Sequence, residues 1–130
     1  MRPFWIGAFS AWIAFGALSP QTARAESIND IAFRVFAGPK HLLSSEGNAS
    51  LCKEDQMVLK LRVDHGVLSN MTGTCKGPIR ADGTFDGQCN LSYETLYFSG
   101  KATPYLILLH TKHVYSGATC QYDTELHWSP

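Results

Sequence analysis

The chain has 130 residues, 45% of them hydrophobic, and its 11 Lys and Arg balance 11 Asp and Glu. That length fits one ordinary domain. No like-charged block or basic stripe occurs, which argues against nucleic acid as a partner and against a polybasic membrane contact.

The first element is an export signal. Met1-Arg2-Pro3 supplies a positive charge, an apolar run follows from Phe4 to Leu18, and Ala23-Arg24-Ala25 precedes Glu26. A basic start, an apolar stretch of about 7–15 residues and an A-x-A site are the parts that signal peptidase needs. The run is short of the ~20 residues that span a bilayer, so a retained anchor is the weaker reading. Residues 1–25 are therefore expected to be removed, and 26–130 to form a single domain with a loop-rich N-terminal part over 26–55. Loss of Arg2 and Arg24 leaves nine basic residues against 11 acidic, a net charge of −2. The expected location is periplasmic or secreted, with no membrane span after cleavage.

Ile31–Phe36 alternates imperfectly and reads as a strand or a helical turn, while 38–55 reads as a long loop. Met57, Leu59, Leu61 and Val63 alternate with Val58, Lys60, Arg62 and Asp64, the period-2 pattern of a half-buried strand. Closing Asp64-His65-Gly66 as a three-residue loop pairs Val63 with Val67 and Leu59 with Met71. Later strands are expected at Thr84–Leu91, Thr95–Gly100, Tyr105–Thr111 and Thr119–Trp128. In the last, Cys120, Tyr122, Thr124, Leu126 and Trp128 share one face, and Gln121, Asp123, Glu125 and His127 the other. About seven short strands and no sustained helical period predict an all-β antiparallel meander, either a bent sheet or a small barrel. A β-sandwich is the alternative.

Four cysteines in a small exported chain read as two disulfides. If Ala81-Asp82-Gly83 is a three-residue hairpin loop, Arg80 faces Thr84, Ile79 faces Phe85 and Cys75 faces Cys89. Opposed residues lie about 4.5–5.5 Å apart at Cα, which a disulfide can bridge. A two-residue loop would miss by one. The pairing expected is Cys75–Cys89, which leaves Cys52–Cys120, a loop of about 70 residues and about 4 kcal/mol in the chain-entropy model. The alternative use of four cysteines, a zinc site, lacks any C-x-x-C spacing.

Chemistry is harder to find. His110 and His113 are the closest of five histidines, but residues three apart on a strand point to opposite faces. No G-x-S-x-G elbow is present, Ser116 reads as a turn residue, and Asp82 and Asp86 match no Ca²⁺ loop. No catalytic residue, metal ligand or cofactor is assigned. The sequons at Asn48, Asn70 and Asn90 apply only to a eukaryotic source, whereas the compact signal is bacterial in style, so they read as coincidence. Tyr93, Tyr97, Phe98, Tyr105, Tyr115, Tyr122 and Trp128 read mostly as core, or as a ligand platform if several share a concave face.

Cys52, the turn Val63-Asp64-His65-Gly66-Val67, the G-x-I-x-x-D-G-x-F-x-G pattern from Gly77 to Gly87, and Ser116-Gly117 ahead of Cys120 recur together. In this the chain resembles small exported β-domain proteins of Gram-negative bacteria over about residues 52–128. The Cys75–Cys89 pair is an addition to that pattern. The periplasmic lysozyme-inhibitor barrels are comparable in fold, but their inhibitory loops have no match here. The resemblance brings no activity with it. The expectation is a monomeric, non-enzymatic binding or accessory protein with a protein or small-ligand partner. The alternative is a small secreted hydrolase, which two or more of His65, His110, His113, Asp86 and Asp123 meeting in one pocket would favour.

Overall fold

The computed structural model describes residues 26–130; the signal segment read at 1–25 lies outside the described residues. The pattern that was plainest in the sequence forms the last strand, β8. Chain order runs β1 (Arg34–Gly47), β2 (Val58–Asp64), β3 (Val67–Asn70), β4 (Lys76–Pro78), β5 (Thr84–Asn90), β6 (Glu94–Ala102), β7 (Leu106–Tyr115) and β8 (Ala118–Trp128). The eight strands make one antiparallel sheet in the order β4-β3-β2-β1-β8-β7-β6-β5, curled until β4 and β5 meet. It is a nearly closed barrel. Cys120, Tyr122, Thr124 and Leu126 face its interior and are buried, while Asp123, Glu125 and His127 are exposed, as alternation requires.

The segment expected to be loop from residue 38 onward is strand as far as Gly47. β1 pairs with β2 over Arg34–Pro39 and with β8 over Phe36–Gly47, with a bulge at Leu43. Its Gly38 is required by packing, because a Cβ there would lie 2.0 Å from the Glu125 carbonyl oxygen. Beyond Pro39 the strand keeps only β8 as a ladder partner, and from Leu43 to Gly47 its side chains face water, so no apolar alternation marks its end.

The hairpin joining β2 and β3 also differs from expectation. His65 (φ 48°) and Gly66 (φ 80°) form a two-residue turn with both residues left-handed, the type I′ geometry. Val63 therefore pairs with Leu68, not Val67, and Asp64 with Val67. The shift of one residue buries Leu68 and leaves Val67 and Met71 exposed.

Both expected disulfides are present, Cys52–Cys120 and Cys75–Cys89, each with Cα atoms 5.6 Å apart. Such bridges are consistent with an oxidising compartment. The Ala81-Asp82-Gly83 loop forms: the Arg80 amide donates to Thr84 O at 2.8 Å, and Asp82 accepts from the Thr84 amide and hydroxyl. Those two bonds hold the Asp82 carboxyl below its ordinary range. Beyond the turn, however, the arms form no ladder. β4 pairs with β3 and β5 with β6, and the Phe98 ring packs against both Gly77 and Gly87 along the seam between them. The disulfide and an Arg80–Asp86 ion pair at 2.7 Å cross the same seam.

One end of the barrel is plugged. A 3-10 turn at Ile28–Asp30 places Ile28 and Ile31 over Phe36, Val63, Ile79, Phe85, Ile107 and Leu126. Two bonds fasten the plug: Asn29 Nδ2 donates to Ile79 O at 2.9 Å, and the His65 amide donates to Ile31 O at 2.7 Å. No helix among the described residues is long and apolar enough to cross a membrane.

Candidate functional site

At the other end of the barrel the inward-facing side chains turn polar. β1 delivers Lys40, β7 delivers Thr111 and His113, and β8 delivers Tyr122 and Thr124, all buried. Lys40 reaches this position because β1 alternates inward at Phe36, Gly38 and Lys40. Its ammonium pairs with Glu54 from the loop before β2 and lies 5.1 Å from the centre of the Tyr122 ring. A buried ammonium is tolerated only with such partners.

His113 is the second charged-group contact of this layer. Its Nδ1 meets Glu94 Oε2 at 2.9 Å, with both side chains largely buried. The ring stacks on Tyr115 at 6.2 Å and meets Tyr122 edge-on at 5.3 Å. Burial, and then the neighbouring Glu94 carboxylate, push the Tyr115 phenol well above its ordinary range. Burial raises the Tyr122 phenol as well.

Bordered by this polar layer is a cavity of about 230 Å³, partly open to solvent. Leu59, Leu61, Leu68, Leu91, Leu96, Leu109 and Phe98 make most of its wall. Its polar groups come from Lys40, Glu54, Ser69, Asn70, Thr111 and His113, and the Cys75 half of the seam disulfide also borders it. The Thr111 hydroxyl has no hydrogen-bond partner among the described residues, and Thr111 is only 4% exposed. An apolar hollow with a few convergent polar groups is the usual form of a small-molecule site.

The residues singled out from sequence divide between the two faces. His110 and His113 lie on opposite faces of β7, as their spacing requires. His110 is on the outer face, where Nδ1 meets Asp123 Oδ1 at 2.8 Å and Nε2 meets Gln121 Oε1 at 3.1 Å. Ser99 is the ladder neighbour of His110 on the other side, and Asp86 that of Ser99. So His110 and Asp123 do meet, in a shallow groove that Ser99 also borders. His65 stands apart, exposed in its turn and bonded to Asp64. No group of three or more His, Cys, Asp or Glu side chains placed to hold a metal occurs among the described residues.

The structure corrects the expectation that most of the seven aromatic residues named from sequence are core. Phe98 and Tyr122 are buried, Tyr115 and Trp128 half-buried, and Tyr97, Tyr105 and Tyr93 exposed, the last by 89%. They form no common platform. Trp128 and Tyr105 instead flank the Arg34 guanidinium, 3.5 and 5.6 Å from their ring centres. Two sequon asparagines have structural work: Asn48 caps the 3-10 turn at Ala49–Leu51, and Asn70 accepts from the Cys75 amide.

Sequence reasoning picked out His113 but missed Lys40, Glu54, Glu94 and Thr111. The signal available was the Cys120–Trp128 alternation, which places Thr124 inward. It carries no hint that the ladder neighbours of β8 would add Lys40 and Thr111 to the same interior. No family model, curated protein or solved structure matches the chain.

Proposed function

We propose that the protein is an exported, non-enzymatic small-ligand carrier or sensor, and that its ligand occupies the interior of the barrel. The observation that carries this reading is the 230 Å³ leucine-lined cavity with a polar layer at one end. A small barrel needs no such hollow for stability, since close packing is the favourable state of an interior. The two disulfides and the signal-like N-terminus support work in the periplasm or outside the cell. The resemblance to exported Gram-negative β-domains points the same way. In this reading residues 1–25 are a leader and the secreted chain begins at Glu26, which N-terminal sequencing of the exported product tests.

The ligand reading is tested by nuclear magnetic resonance titration with small apolar probes such as n-propylbenzene. Shifts are expected on the methyl groups of Leu61, Leu68 and Leu109, and Leu96→Trp, which fills the cavity, is expected to abolish them. Shifts confined to the outer surface would sink the reading.

A second reading, a small hydrolase, draws on the Asp123–His110 hydrogen bond and on Ser99 beside it in the ladder. It ranks below the first because the second ring nitrogen of His110 meets Gln121 and not the Ser99 hydroxyl. Hydrolysis of an activated ester that disappears in both Ser99→Ala and His110→Ala would raise it to first place.

A further inference from the structure

The cavity also constrains the chemistry of what fills it. We propose that its ligand is an uncharged, hydroxyl-bearing molecule of roughly nine non-hydrogen atoms, with its apolar body among the leucines and its hydroxyl bonded to Thr111. This deepens the ligand-carrier reading and rests on it.

Size comes first. A dry apolar cavity of about 150 Å³ accommodates benzene, with six heavy atoms, so 230 Å³ scales to roughly nine. Charge comes next. The charged side chains lining the cavity, Lys40 and Glu54, are already paired with each other. A charged ligand must break that pair or enter without a counter-ion, and both are costly in an apolar surround.

Thr111 supplies the positive requirement. A hydroxyl is both donor and acceptor, and this one is buried against the cavity with no protein partner among the described residues. His113 stands two residues along the same inner face. Its Nδ1 is engaged by Glu94, and its Nε2 has no hydrogen bond among the described residues. One ligand hydroxyl has the two-way capacity to answer both groups, whereas an ether or a hydrocarbon does not.

The test compares probes of matched size on the disulfide-intact protein by calorimetry: n-octanol and para-ethylphenol as hydroxyl compounds, n-propylbenzene as hydrocarbon, and octanoate and octylammonium as charged analogues. The hydroxyl compounds are expected to bind about tenfold or more tighter than n-propylbenzene, with the charged analogues weakest. Thr111→Val is expected to erase that preference while n-propylbenzene still binds, and Thr111→Ser, which keeps the hydroxyl and folds if Val does not, to retain it. The ratio between n-octanol and para-ethylphenol tells an aliphatic from a phenolic source. Binding of n-propylbenzene equal to that of n-octanol, tighter binding of a charged analogue, or an unchanged preference in Thr111→Val would overturn the hydroxyl assignment and leave the carrier reading standing. Failure of every probe, n-propylbenzene included, would remove both.

Discussion

Cys75, just before β4, and Cys89, within β5, join strands that share no ladder hydrogen bond, yet their Cα atoms lie 5.6 Å apart. The bridge therefore does at the barrel seam what a ladder does elsewhere. Replacing both residues by Ser is expected to cost about 3 kcal/mol, the value for a closed loop of this length. Urea unfolding measures it. Hydrogen exchange should quicken in β4 and β5 while β7 and β8 stay protected, and equal acceleration in all four strands would refute the seam assignment.

The Phe98 ring sets a second, sharper condition at the same place. A Cβ on Gly87 would lie 2.4 Å from Phe98 Cζ, whereas one on Gly77 would lie 3.3 Å away. Gly87→Ala is expected to destabilise by about 1–3 kcal/mol and Gly77→Ala by under about 1 kcal/mol. Combining Gly87→Ala with Phe98→Leu should cost less than the sum of the two changes, a coupling that a double-mutant cycle measures.

The Lys40–Glu54 pair is asymmetric, since the Lys40 side chain is 10% exposed and that of Glu54 39%. Glu54→Gln strands a buried ammonium, while Lys40→Met leaves a carboxylate that can turn to water. Glu54→Gln is therefore expected to be the more damaging, by about 1–3 kcal/mol. Denaturation midpoints of the two variants in the reverse order would contradict the burial that places Lys40 in the interior.

Tyr115 gives a pH dependence with a definite sign. Its phenol is raised above the model-peptide value of 10.0, by burial first and Glu94 second. A folded state that holds its proton longer than the unfolded one keeps this contribution below pH 10 and loses it as the pH rises further. Tyr115→Phe should flatten the fall of stability with alkaline pH by up to one proton. Unfolding free energies of both proteins at a series of alkaline pH values provide the comparison, and identical slopes would count against the shift.

Much of the fold was legible because period-2 alternation is robust wherever one face is dry and the other wet. β8 satisfies that condition along its whole length, and so do the central residues of β2. The second half of β1 does not: from Leu43 to Gly47 its side chains are exposed on both faces, so nothing apolar repeats. The β2–β3 register slipped by one because His65 adopts a left-handed conformation, which the Asp64-His65-Gly66 triplet alone does not reveal. The seam disulfide was reached from a hairpin whose turn is real and whose ladder is not. The site was the least legible part. Lys40 reads as a surface residue until β8 is laid beside β1, and Glu54 approaches it from a loop.

The neighbour relation of β1 and β8 governs when this chain can fold. Phe36 lies opposite Trp128, so the middle of the sheet joins the two strands most remote in sequence, and the Cys52–Cys120 bridge repeats that link. Closing so long a loop is slow and brings little reward until both strands are present. A chain lacking β8 has no Leu126, Tyr122 or Cys120 to complete its interior and no partner for half of β1. A stable barrel therefore forms only once β8 is available, and until then the earlier strands stay without a completed interior. A fragment ending at Tyr115 that still showed cooperative unfolding would disprove this timing.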